Sequence, residues 1–112
     1  MVPTAKTDPL DQVFMALADQ TRRSLVHRLA QGEMTMSQLA EGFDMSLAAI
    51  SKHVKVLEAA KLVKRRKEGR IHYIQLVPEQ LTGALDWISV YRYFWQQRME
   101  SLSDFIENDS SN

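Results

Sequence analysis

A mainly helical chain carrying one small β-hairpin, in the order α-α-α-α-β-β-α, is the fold class that this 112-residue sequence predicts. Three observations predict it. Apolar residues recur at helical spacing between residues 8 and 60, residues 62–76 switch to strand-like alternation about a glycine, and helical spacing resumes after Pro78. With 45% hydrophobic residues the chain has enough apolar surface for one core and too little length for two. A single domain over residues 8–107 follows, with flexible termini at 1–7 and 108–112. Charged residues make up 25%, and no apolar run approaches the length of a membrane span, so a soluble, cytoplasmic protein without a membrane partner is expected. The start of the chain lacks the apolar stretch of a secretory signal. There is no cysteine, which removes disulfides, thiolate metal sites and thiol redox sensing.

Asp8-Pro9 opens the first helix, aspartate capping its free amides and proline fitting the first turn, with Leu10, Val13, Phe14 and Leu17 along one face. Asp19 caps a second helix carrying Leu25, Val26 and Leu29, which ends at Gln31-Gly32. Thr35-Met36-Ser37-Gln38 has the spacing of a capping box and predicts a short helix to about Phe43. Asp44-Met45 breaks the chain, and Ser46 caps a fourth helix through Ala60, with Ile50, Val54 and Leu57 at i, i+4 and i+7. Two short helices joined by a tight turn make a helix-turn-helix pattern. Residues 62–76 then predict a hairpin turning at Gly69, where a turn needs positive φ. Pro78 stops the second strand and starts a last helix from about Glu79 to Ile106, with a polar, frayed end from Glu107.

Charge is balanced overall, with 14 basic and 14 acidic residues, but it is not evenly spread. Between Lys52 and Arg70 eight basic residues face only Glu58 and Glu68, a net charge of +6. Such a division within a small domain points to a face that meets an anion. An α-helix fits the major groove of duplex DNA, and a basic ribbon beside it meets phosphates or the minor groove. On the fourth helix, Ile50, Val54 and Leu57 point inward, which leaves Ala48, Lys52, Lys55 and Ala59 outward with Ser51 and His53 on the flanks.

The run Ser46-Leu47-Ala48-Ala49-Ile50-Ser51-Lys52-His53-Val54-Lys55-Val56-Leu57 resembles the recognition-helix signature of the ArsR/SmtB family of bacterial repressors. Leu17-Ala18-Asp19-Gln20-Thr21-Arg22-Arg23 and Arg66-Lys67-Glu68-Gly69-Arg70 with Tyr73 are similar to two further segments of that family, so the likeness covers roughly residues 10–76. The resemblance implies a winged helix-turn-helix homodimer, paired through its first and last helices, that reads a palindromic operator in double-stranded DNA and represses transcription. The candidate DNA-binding residues are Ser46, Ala48, Ala49, Ser51, Lys52, His53 and Lys55 on the recognition helix, 46–60, and Lys64, Arg66, Lys67 and Arg70 on the wing, 62–76. Ala48 and Ala49 donate no side-chain hydrogen bond; they suit thymine methyls or close approach, which leaves affinity to the cations and specificity to DNA shape.

Many members of that family release DNA on binding metal, and the positions concerned lack the ligands here. The third-helix segment reads Met34-Thr35-Met36-Ser37-Gln38, without thiolates. In the last helix Asp86-Trp87-Ile88 and Gln97-Arg98-Met99-Glu100 lack the histidines of the second site. No metal and no cofactor are expected, the metal-independent branch is the nearer likeness, and the effector is unknown. The last helix carries Trp87, Tyr91, Tyr93, Phe94, Trp95 and Phe105 with Leu81, Leu85, Ile88, Met99, Leu102 and Ile106, apolar over more than one protomer covers. A two-fold partner is the simplest cover. The candidate interface is Leu10, Val13 and Phe14 with Trp87, Tyr91, Phe94, Trp95, Leu102 and Phe105. An apolar-ligand pocket and a protein-interaction module that has lost DNA binding are the alternatives. An enzyme is not expected, because His27, His53 and His72 lie on separate elements with no catalytic constellation around them.

Overall fold

Capping side chains set the helix starts along the chain. A computed structural model describes residues 8–110, with side chains through Ile106. The Asp8 carboxylate accepts from the Leu10 amide at 2.8 Å and starts α1, Pro9–Leu17. Asp19 accepts from the Arg22 amide at 3.0 Å and starts α2, Gln20–Leu29. The Thr35 hydroxyl accepts from the Gln38 amide at 3.1 Å while the Gln38 side chain accepts from the Thr35 amide at 2.9 Å, closing the capping box of α3, Met36–Ala40. Ser46 accepts from the Ala49 amide and starts α4, Leu47–Ala59.

The sheet is larger than the sequence suggested. Met34–Thr35 forms a short strand, β1, that pairs antiparallel with β3, Ile71–Leu76; β3 in turn pairs with β2, Val63–Glu68. The order β1-β3-β2 makes three strands where a two-stranded hairpin was expected, and the element order becomes α-α-β-α-α-β-β-α. Two residues carry no period, so the extra strand exists only because β3 offers an open edge beside the α2–α3 connection. Glu68 pairs with Ile71 across a two-residue loop, and Gly69 takes φ 59° at its first central position, as a II′ turn requires.

The expected end of α3 near Phe43 is corrected to Ala40. Gly42 follows with φ 84°, and a Cβ there would lie 2.9 Å from an Arg28 guanidinium nitrogen. Arg28 itself donates to the Leu39 carbonyl and stacks over Phe43, which holds the helix-turn-helix bend against α2.

One core joins all the layers. Val13, Leu25, Leu29, Leu39, Ile50, Val54, Leu57, Leu62 and Ile74 are buried from α1 to β3. Each such side chain contributes about 1.5–3 kcal/mol by leaving water. Val13 is 0% exposed inside its own protomer, so its expected interface role is corrected: the first-helix interface candidates that reach the surface are Leu10 and Phe14.

The last helix, α5, runs Glu79–Ser110. It was expected to fray from Glu107 and instead continues four residues further, since Glu107 to Ser110 include no glycine or proline to stop it. The other residues expected to be flexible, 1–7 and 111–112, lie outside the described residues. Only its start packs on the body, through Leu81 and Ala84 in the core and Trp87 against Phe14 at 5.7 Å. The radius of gyration is 19.5 Å. A folded chain of this length would have about 13 Å, so the far part of α5 projects from the domain.

Candidate nucleic-acid interface

Helix α4 turns one face to the core and the other to solvent. Ile50, Val54, Leu57 and Ala60 are buried; Ala48, Lys52, Lys55 and Ala59 are exposed, and Ser51 and His53 are half-buried on opposite flanks. Ala49 is half-buried and Ser46 exposed, so Ser46 is committed to its cap while its surroundings stay open. The outward face is short in hydrogen-bonding groups and carries its charge on two lysines.

At its C-terminal end α4 is fastened to the wing. Arg65 on β2 donates through Nε and Nη2 to both oxygens of Glu58 on α4, at 3.3 and 2.8 Å, and its Nη1 lies 3.3 Å from His72 Nδ1. A two-point guanidinium–carboxylate contact fixes orientation as well as distance, which couples the wing's angle to the helix. The helix ends with Lys61 at φ 61°, the Leu62 amide donating to the Leu57 carbonyl at 3.0 Å and the Lys61 amide to Glu58 at 2.9 Å. That left-handed closure usually falls to glycine; a lysine there was not legible from residue type.

Strand alternation divides the wing's cations. In β2, Val63 is buried and Arg65 half-buried on the side facing the domain, and Lys67 continues that side beyond its edge; Lys64 and Arg66 alternate to the other side. Arg66 is fully engaged. Its guanidinium makes 2.8 Å ion pairs with Glu33 and with Glu68 and lies 4.3 Å over the Tyr73 ring. Glu33 is the main reason that Arg66 binds its proton more tightly than a free arginine. Thus Arg65 and Arg66 take up Glu58 and Glu68, the two acids of the 52–70 segment. Lys52, Lys55, Lys61, Lys64, Lys67 and Arg70 are exposed and carry no ion pair among the described residues. The sequence charge of +6 is therefore the charge of six free cations on the helix and the wing.

His53 sits beside the α1–α2 junction with its side chain 20% exposed, Nδ1 being 3.3 Å from Arg22 Nη1 and 3.8 Å from Asp19 Oδ2. The Arg22 amide, capped by Asp19, holds the Asp19 carboxyl below the usual carboxylate range, with the Arg22 guanidinium and His53 adding to the effect against partial burial. Sequence reading put His53 on the flank of the helix as a candidate DNA contact and did not identify these partners, which lie 31 and 34 residues away.

The expected interface aromatics of α5 are open on the protomer surface. Trp95 is 62% and Phe105 69% exposed, with Trp87, Tyr91, Phe94 and Leu102 about half exposed beside them. Arg98 stacks over Phe94 within this face. Where α5 meets α1, a shallow apolar groove of about 460 Å³ is lined by Phe14, Leu17, Leu81, Leu85 and Ile88. Among the described residues no helix is long and apolar enough to cross a membrane.

A family model described as a helix-turn-helix domain matches residues 17–66. The HTH-type transcriptional regulator Rv2034 of Mycobacterium tuberculosis is 35% identical, over 88% of this chain and 90% of that protein. The transcriptional repressor SdpR of Bacillus subtilis is 32% identical, over 70% of this chain and 88% of its own length. Among solved structures, an ArsR family transcriptional regulator superposes with a TM-score of 0.73 at 35% identity, covering 80% of this chain and 98% of the other. A homodimeric winged helix-turn-helix DNA-binding domain from Mycobacterium bovis shares the fold, with a TM-score of 0.62 at 23% identity over 86% of this chain and 95% of that one.

Proposed function

The chain belongs to the ArsR/SmtB family of helix-turn-helix transcriptional regulators, and from that premise we propose that it represses transcription by binding a palindromic operator as a homodimer. A DNA-binding regulator, and not an enzyme, is what membership establishes. The single observation that carries the finer reading is the set of free cations at 52, 55, 64, 67 and 70, beside an α4 face of small side chains that lets the helix backbone approach base edges. Lys52 and Lys55 enter the major groove on the central face of the helix, and Lys67 with Arg70 at the wing tip meets phosphates. Ser51 and His53 flank the helix, Ala48 and Ala49 pack near the groove floor, and Lys64 adds charge at the wing's base. Arg66 braces the wing through Glu33 and Tyr73 before it neutralises any phosphate.

Two-fold pairing covers the exposed α5 face and the groove against α1, using Leu10, Phe14, Trp87, Tyr91, Phe94, Trp95, Leu102 and Phe105. The homodimeric neighbour of the same fold supports this arrangement. On this reading the chain falls in the metal-independent branch, supported by the lack of any cysteine and of the last-helix histidines at Ile88 and Gln97. It acts in the cytoplasm, where its DNA is.

The test is retardation of a duplex spanning the chain's own promoter. Wild-type protein retards it, added salt weakens the complex, and Lys52→Ala with Lys55→Ala abolishes it. Unchanged binding by the double variant would remove the recognition-helix assignment.

A further inference from the structure

We propose that Arg22, on α2, is a positioning residue for DNA binding: it holds the His53 imidazole as the tautomer protonated at Nε2, so that His53 presents a hydrogen-bond donor to a duplex phosphate. The inference rests on α4 being the helix that enters the groove.

The chemistry of the contact leaves one assignment. A guanidinium has five N–H donors and no acceptor, so the 3.3 Å approach of Arg22 Nη1 to His53 Nδ1 is a hydrogen bond only if Nδ1 is the bare, accepting nitrogen. Arg22 has no freedom to turn away. Its Nε donates to the Ala16 carbonyl at 2.6 Å and its Nη2 to the Met15 carbonyl at 3.1 Å, which ties the guanidinium to the free end of α1. The competing arrangement, Nδ1–H donating to Asp19 Oδ2, would need a hydrogen bond across 3.8 Å, which is too long, and would aim a proton at the guanidinium. Asp19 is moreover occupied in capping α2 through the Arg22 amide. With Nδ1 accepting, the neutral ring carries its proton on Nε2.

Nε2 has no protein partner among the described residues and is not sealed from solvent. His53 lies on the flank of α4, beside the exposed face of Ala48, Lys52 and Lys55 rather than at its centre. A helix lying in the major groove turns its central face to base edges and its flanks to the sugar-phosphate walls, so the Nε2–H faces a phosphate oxygen. Arg22 thereby connects the α1–α2 junction to the donor without touching DNA itself.

Two measurements test this on the full chain. Long-range proton–nitrogen NMR of the histidine rings is expected to show the neutral His53 ring with a bare Nδ1 and a protonated Nε2, its signals identified by their loss in His53→Gln. A His53 ring protonated at Nδ1 would overturn the inference, and this needs no Arg22 variant to fold. For binding, glutamine places its amide near the Nε2 position and asparagine near Nδ1. His53→Gln should therefore keep affinity within about threefold, while His53→Asn and His53→Ala lose about tenfold, on a mixed-sequence duplex and on the promoter duplex alike. Arg22→Met should lose as much as His53→Ala, with no further loss in the double variant. Asparagine and glutamine variants of equal affinity, or a loss confined to the promoter duplex, would refute the phosphate-facing donor. If Lys52→Ala weakens binding and His53→Ala does not, this inference fails and α4 remains the reading helix; if neither weakens it, the recognition-helix assignment itself has failed.

Discussion

Replacing Lys67 by alanine removes a free cation near the wing tip, whereas replacing Arg66 removes one already satisfied by Glu33, Glu68 and Tyr73. The two substitutions delete the same formal charge one residue apart, so simple charge counting gives them equal effects. The structure does not. A cation that neutralises a phosphate releases counterions and contributes about 0.9 to the slope of log affinity against log salt, so a dimer losing it twice loses about 1.8. Over a fourfold rise in salt, from about 50 to 200 mM, wild-type binding should then fall about twelvefold further than that of Lys67→Ala. Arg66→Ala should leave the slope within about 0.5 of wild type, although it lowers affinity at every salt concentration by releasing Glu33 and Glu68. Glu33→Gln, which frees one arm of Arg66, should steepen the slope. The assay is fluorescence anisotropy of a labelled promoter duplex titrated at several salt concentrations. If Arg66→Ala flattens the slope as much as Lys67→Ala does, the clamp does not persist on DNA and the division between a bracing Arg66 and a contacting Lys67 is wrong.

Three further outcomes rest on the helix ends and on the exposed face of α5. Trp95→Glu places a charge in the exposed α5 face and should yield a folded monomer that binds DNA poorly; a wild-type monomer in sedimentation would end the two-fold reading. Lys61→Gly should raise stability by about 1 kcal/mol in denaturant unfolding, because glycine adopts φ 61° without the steric cost a lysine bears; a destabilised variant would contradict that account. Asp19 has a folded-state pKa below its ordinary 3.8, so its carboxylate stabilises the fold fully above that value, and the contribution is lost as pH falls through the lower folded value. Asp19→Asn keeps a capping oxygen and should flatten the acid limb of thermal unfolding below about pH 4; an unchanged acid limb would count against it.

Local chemistry made much of this protein legible. The capping residues Asp8, Asp19, Thr35 and Ser46 start their helices where residue type places them, because a cap needs only a short polar side chain within three residues of a free amide. The inward set Ile50, Val54 and Leu57, the turn at Gly69 and the start of α5 at Glu79 follow from period and from backbone freedom for the same reason. The concentration of positive charge between Lys52 and Arg70 is likewise legible without any tertiary contact.

Tertiary structure decided what depends on partners distant along the chain. Met34–Thr35 becomes a strand only because β3 has an edge to pair with, and α3 stops at Ala40 because Arg28 and Phe43 fill the space beyond it. Val13 belongs to the core because α4 and α5 close over α1, although its spacing equally suited an interface. Which cations are free and which are spoken for, Lys67 against Arg66, is set by Glu33 and Glu68, and the surroundings of the His53 ring are set by Arg22 and Asp19. Sequence determines the number and period of charges and apolar groups; the pairing of individual groups is a distance between atoms, and only the folded chain fixes distances between residues thirty positions apart.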